Sequence, residues 1–323
     1  MSTPNVENYT LGRGSLYWAE FNAETGLYEG ERHLGNAPEV TLAANVTRLD
    51  HYSSMSGLKA KDKSAVSQIS PQISFTLEEF DGDNWMMLVY GTSETVSQAA
   101  ADEVSFTIDT PEKGRYYELG KLSVQTKRLP HGAVTGGPFQ AGETITGGTS
   151  SATGKVLDVQ ATYLLVAVLS GTFDATETIT GGTSNATATT TTAPVAVSGL
   201  VVAKSGSTVH TATTDYVVDA KLGRVFITED SGITESVTFT FGCAAMTYTR
   251  IKGLTSLSRT GRLRFISDNP EGGNYELVAW KCQPAPNGDT GLISDDWGNM
   301  KFQADVLKDS SNPDSPYLDL KIY

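Results

Sequence analysis

Cysteine is almost missing from this chain: Cys243 and Cys282 are the only two in 323 residues. They lie far apart, so they make no zinc framework. Two readings stay open for them, buried reduced thiols or a single long-range disulfide. Histidine is equally sparse, and His33, His51, His131 and His210 are scattered without metal-ligand spacing. No apolar run approaches the roughly 20 residues that span a bilayer, so membrane insertion is not expected. The opening MSTPNVENYTLGRGS lacks a basic start followed by an apolar stretch, which argues against a signal peptide and for folding in a cytoplasm. Basic charge is also short. The 24 Lys and Arg face 37 Asp and Glu, for a net charge of −13. Gripping nucleic acid takes cations that neutralise phosphates, so tight DNA binding is not expected. Lying close to DNA without holding it is compatible with such a charge.

Helical periodicity is scarce as well. What the chain has instead is 32 glycines, abundant Thr and Ser, and short alternating segments bounded by Gly, Asn, Asp or Pro, the pattern of strands. Residues 15–22 (SLYWAEFN), 104–109, 223–228, 236–241, 262–267, 275–282 and 300–307 all read this way. Two strands are unusually long. EVTLAANVTRLDHYSS places Val40, Leu42, Ala44 and Val46 on one face, and SAVSQISPQISFTLEE does the same with Ile69, Ile73, Phe75 and Leu77. Between them MSGLKAKDK carries Gly57 and a charged tip. Together they predict an extended β-hairpin whose arms of roughly 14 residues span about 45 Å. A compact domain of about 200 residues has a radius of gyration near 16 Å, so the tip is expected to project. Pro71 within the arm requires an edge position or a bulge.

One helix is expected over 81–91 (DGDNWMMLVYG), with Asp81 or Asp83 as N-cap and Gly91 as the stop. Trp85, Leu88 and Val89, spaced i, i+3 and i+4, would pack on a sheet. The middle of the chain repeats itself: ETITGGTSSATG begins at Glu143 and ETITGGTSNATA at Glu177. Gly-Gly and Ala-Thr runs oppose helix, so residues 133–195 read as an inserted all-β module with two similar halves. Its expected core is thin (Ile145, Val156, Leu165, Val166 and Ile179), and ATATTTTAPVA reads as an extended linker. The remaining 1–132 and 196–323 would form a discontinuous main domain.

Several constellations invite a chemical reading. Asp50, His51, Ser53 and Ser54 contain the residue types of a nucleophilic triad, but neighbours on a strand point to opposite faces and cannot converge. A polar contact surface is the better reading. DGDN at 81–84 hints at a calcium loop without the later ligands, and a helix cap explains the same residues. The pairs Asp295–Asp296 and Asn287–Asp289 suit a hydrolase no better than they suit a solvated turn. Catalytic residues, metal ligands and cofactors are therefore not expected. Lys59, Lys61 and Lys63 alternate on one face of the turn region. Either they are solvated charges that deter edge pairing, or they dock on an acidic surface of a neighbouring copy.

LGNAPEVTLAANVTRLDHYSSMSGLKAKDKS resembles the signature segment of bacteriophage tail tube proteins, also called major tail proteins. The correspondence rests on Leu34, Gly35, Asn36, Pro38 and Glu39, then Leu49, Asp50, His51, Tyr52 and Ser54, then Lys61 and Asp62. DYVVDAKLGRVFI (215–227), GRLRFISDNPEGG (261–273) and NGDTGLISDDWGNMKFQADVLKD (287–309) resemble later segments of that family, in family order. The resemblance covers most of 11–130 and 196–323, and the repeated module departs from shorter family members. It implies a mostly β protein with a sandwich- or barrel-like core, one packed helix and a long hairpin arm. It also implies hexameric rings stacked into a hollow tail tube, assembled in the host cytoplasm and built into the virion, through which double-stranded DNA passes without specific binding. Other tail components (tape measure, tail terminator, distal tail proteins) would be its partners. The inter-subunit contacts would fall on Asp50, His51, Tyr52, Ser53, Ser54, Gly57, Lys59, Lys61, Asp62 and Lys63, with the module outside the tube. An alternative function is a surface-binding or adhesin-like role for the repeats at 133–195.

Overall fold

A computed structural model describes Val6, residues 9–55 and residues 57–323. The protein is mostly β, with 53% of residues in strands, and its one helix among the described residues is Gly82–Leu88. The chain divides into two compact units, one comprising the residues up to Glu94 together with Thr249–Tyr323, the other Thr95–Tyr248. The boundaries fall inside Thr92–Gln98 and Met246–Lys252, which form a separate two-stranded ribbon.

The first unit is built on a nine-stranded antiparallel sheet. Its main path runs Leu27–Tyr28, Gly14–Asn22, Gly261–Ser267, Tyr275–Pro286, Met300–Val306, Ala60–Leu77, Glu39–Ser53. Period-two alternation makes one face apolar. Along Met300–Val306 the residues Met300, Phe302, Ala304 and Val306 are buried while Lys301 and Asp305 are exposed. They pack with Leu16, Trp18, Ile73, Leu77, Met87 and Leu263, and Phe75 stacks on Phe302 at 5.2 Å.

The helix is shorter than the expected 81–91. Asp81 is the N-cap, accepting from the Asn84 amide at 2.6 Å, and Asp83 sits in the first turn, where a carboxylate complements the helix dipole. Trp85 and Leu88 are partly buried against the core. Val89 is the C-cap rather than a third packing residue, and Met87 is the apolar residue of the helix buried deepest. Gly91 does not supply the left-handed stop; Tyr90 does, with φ 47°, while the Gly91 amide closes back on the Met86 carbonyl at 2.9 Å. Glycine is needed at 91 for space, because a Cβ there would stand 2.8 Å from the Lys252 carbonyl oxygen. Asn84, which the apolar spacing gave no reason to notice, is fully buried and fully used. Its amide nitrogen donates to the carbonyls of Leu34 and Glu79, and its oxygen accepts from Arg32.

The second unit holds an eleven-stranded sheet and a three-stranded one. The segment Asp215–Arg224 fixes the latter. Asp215 accepts from the amides of Thr211 and Gly232, both at 2.7 Å, and Tyr216 donates to the Val201 carbonyl at 2.7 Å. Burial pushes the Tyr216 phenol up to about 12. Arg224 pairs with Asp219 across the turn at 3.0 Å. At Gly223, with φ +64°, a Cβ would lie 1.7 Å from the Lys121 carbonyl oxygen. This segment, one of those that carried the family resemblance, is therefore explained by turn and core geometry.

Residues 133–195 do not stand apart as the repeat suggested. Val124–Pro130 pairs with Tyr163–Ser170, with Val195–Ser198 and with Val237–Cys243, so the repeats continue the sheet of the second unit. The compact unit accordingly begins at Thr95 and ends at Tyr248, outside the expected limits. The repeats keep a core of their own, in which Ile145, Val156, Val166 and Ile179 are joined by Leu129, Phe139, Leu164 and Phe173. Leu165 faces the other way and packs with Leu157, Ala167 and Val202, as the neighbour of an inward residue on a strand must. The Ala-Thr tail is not a linker in its first half: Thr187–Thr189 is a strand paired to Thr178–Gly181, and Ala186, Ala188 and Thr190 alternate inward.

The two halves pair antiparallel through Ile145↔Gly181, Thr146↔Thr180 and Gly147↔Ile179. Each lends a glutamate to the other. Glu177 accepts from the amides of Thr149 and Ser150 and the Ser150 hydroxyl, and Glu143 accepts from the amides of Thr183 and Ser184 and the Ser184 hydroxyl. Each also caps its own half, through Asp174 N at 2.7 Å and Gln140 N at 2.6 Å. Burial alone would raise both carboxyls; the hydrogen bonds outweigh it and hold both below the ordinary value.

Candidate functional site

The arm is the feature that core packing does not account for. Glu39–Ser53 and Ala60–Leu77 pair over their whole length, from Glu39↔Thr76 to Ser53↔Ala60. On its other side the second strand is covered by Met300–Val306 only from Leu77 to Gln72. Pro71 is thus the first residue beyond that pairing, where a missing N–H costs no ladder bond on the uncovered side. From there to the tip the arm is a two-stranded ribbon, about 35–40 Å long at about 3.3 Å per residue. Such a ribbon is marginal in water without a further strand or a packed face.

Its apolar face does not stop where the core stops. Leu77, Phe75, Ile73 and Pro71 are buried, with Ile73 at 0% exposure. The same face continues through the pairs Leu42↔Ile73, Val46↔Ile69 and Arg48↔Val66. Here Leu42 is 45% exposed, Val46 and Val66 both 48%, and Ile69 52%. The register shift between Thr47 and Arg48 bends and twists the ribbon.

At the tip the structure brings the expected residues together but pairs most of them internally. Lys61 reaches Asp50 at 2.7 Å, Ser64 donates to the same carboxylate at 2.6 Å, and His51 Nδ1 lies 2.6 Å from Asp62. The hydrogen bond from Lys61, then that from Ser64, holds the Asp50 carboxyl below its ordinary value. The three lysines do not share a face. A second register shift leaves Asp62 as an extra residue, so that Lys63 opposes His51 and Lys61 opposes Tyr52, and those two outer residues point to opposite sides. Lys59 and Lys63 form no ion pair among the described residues. Tyr52 is exposed, Ser53 is half-buried, and Ser54 is exposed. A Cβ at Gly57 would meet nothing within 4 Å, so no close approach demands glycine there.

The other sequence candidates are not assembled into a site. Asp50, His51 and Ser53 lie along the end of one strand, with Ser54 just past it, without converging. Asp295 and Asp296 are on an exposed loop where Ser294 bonds the backbone of Asp296 at both ends. His33 accepts from the Gly35 amide and His210 lies 2.9 Å from the Ser205 hydroxyl. Cys243 and Cys282 are free and buried, and burial pushes the Cys282 thiol up to about 12.

Sequence reasoning missed the loop around Trp297. Leu292, Ile293 and Trp297 project into solvent, Trp297 at 90% exposure. The signal was present in GLISDDWGN, three large apolar side chains in a segment with no strand pattern, but the paired aspartates drew the chemical reading. No curated protein matches the chain. A family model does, over residues 9–132 and 120–318, and the chain therefore belongs to the family described as Protein of unknown function UCP028589.

Proposed function

We propose that this protein is the building block of a bacteriophage tail tube, forming hexameric rings that stack into a hollow conduit for double-stranded DNA. The observation that carries the reading is the arm. Its apolar alternation runs past the core, with Leu42, Val46, Val66 and Ile69 exposed on the same face as buried Ile73 and Phe75. A monomer gains nothing from apolar side chains held in water on a ribbon that cannot stabilise itself. A neighbouring copy covering that face would bury it, and a head-to-tail contact repeated around a ring closes on itself. The outer arm strand is also a 15-residue sheet edge, which pairing with another copy would complete.

The charge supports a conduit. Duplex DNA carries about one charge per 1.7 Å, and a basic bore would hold it. A net charge of −13 repels it over about a Debye length of 8 Å, so the genome slides. In this reading the repeats at 133–195 lie on the outside of the tube and the other tail components are partners.

Negative-stain microscopy of the purified chain at rising concentration tests the proposal. Six-fold rings or tubes with a central bore are expected, and Ile69→Asp should abolish them while leaving the fold intact. A monomer that never polymerises, alone or with an initiating tail complex, would refute it.

A further inference from the structure

The exposed loop between Tyr275–Pro286 and Met300–Val306 borders a groove of about 370 Å³ lined by Phe80, Trp85, Leu292 and Trp297, with Glu78 at its side. Phe80 and Trp85 meet edge to face at 5.5 Å and form its floor. Ile293 is 97% exposed and Leu292 79%. Asp289, Asp295 and Asp296 share the loop and form no ion pair among the described residues. It is an apolar groove with Glu78 in its wall and three further carboxylates on the loop that borders it.

The arm tip has the complementary character. Met55 is 94% exposed and Leu49 72%, with the cations of Lys59 and Lys63 beside them. A methionine is suited to an aromatic groove, being flexible and favourable against ring edges. The two patches cannot meet within one chain. The inner arm strand begins at Ala60 beside the tip and ends at Leu77, which pairs with Met300, the residue that follows the loop. Tip and groove therefore lie at opposite ends of the same strand, about 55 Å apart at about 3.3 Å per residue.

We infer that the groove beside Trp297 is the seat of a second copy's arm tip, with Met55 entering between the aromatic rings and Lys59 and Lys63 facing the loop aspartates. The inference rests on the self-assembly reading and names a contact that reading leaves open. Because tip and groove are different surfaces at opposite ends, the contact is heterologous: each copy seated leaves one tip and one groove free, so copies add head to tail, around a ring or from one ring to the next.

Engineered thiols test this, since both native cysteines are buried. Met55→Cys and Leu292→Cys copies are mixed and mildly oxidised. A mixed disulfide dimer is expected, and the chain carrying both changes should give a ladder of multimers. Met55→Cys mixed with Val217→Cys, an exposed position in the other unit, should give none. Trp297→Ala should raise the concentration at which assembly begins at least tenfold, with an unchanged melting curve. If tubes form and no Met55–Leu292 disulfide appears, or if the double variant closes only within single chains, the seat is wrong and the tube reading stands. If no assembly forms under any condition, both fall.

Discussion

Replacing Glu177 with alanine tests whether the two repeats hold each other. The change removes the acceptor for Thr149 N at 3.1 Å, Ser150 N at 3.0 Å, the Ser150 hydroxyl at 2.8 Å and Asp174 N at 2.7 Å. Four bonds at about 1 kcal/mol net each would give about 4 kcal/mol. Thr149 and Asp174 are exposed and Ser150 is half-buried, so water takes over part of the loss, and about 3 kcal/mol is the expected cost. For a unit of this size that lowers the melting temperature by about 6–12 °C, readable by calorimetry. Hydrogen exchange then locates the loss. The amides of Thr149 and Ser150 should exchange faster although they lie far from residue 177 in sequence. A cycle with Ser150→Ala should be clearly less than additive. Faster exchange confined to 174–181, or a melting shift under about 2 °C, would refute the reciprocal clamp.

Two further outcomes follow from the same structure. Both clamp carboxyls sit below the ordinary glutamate value of 4.5, so their contribution is complete above that pH and drains away as pH falls through the folded values. An acid melt of the second unit should therefore steepen below pH 4.5, and Glu143→Gln with Glu177→Gln should flatten that dependence. Along the arm, Ile73→Ala should cost about 2–5 kcal/mol as a buried deletion. Ile69→Ala, on the same face and the next inward position but one, should stay within about 0.5 kcal/mol as a surface change, while weakening assembly. Equal losses of stability at the two positions, measured by denaturant melts, would mean that the core extends into the ribbon.

The strands were legible because alternation is a local signal. Met300, Phe302, Ala304 and Val306 bury themselves as the sequence pattern requires, and the arm strands appear where the two long alternating runs stand. Register irregularities were not legible. Nothing in KAKDK announces that Asp62 is the extra residue, yet that single shift sends Lys61 and Lys63 to opposite faces. The extent of the module was hidden for a different reason. A repeat marks sequence duplication, whereas the compact unit is set by Val124–Pro130 pairing on both sides, a long-range fact. The helix stop shows the limit of residue preference: Gly91 was read for its φ and is needed for its missing side chain, while Tyr90 takes the left-handed turn. At the candidate site the arm and its tip were found from sequence, but their internal ion pairs and the Trp297 groove depend on side chains meeting in space.

The exchanged glutamates also constrain how this region can change over generations. One half taken alone would carry a turn with no carboxylate to close it and a carboxylate with no turn to close. A third half inserted in series would create the same two defects. Length variation here is therefore expected to come in even steps, two halves gained or lost together, unless the odd half finds its complement in another molecule.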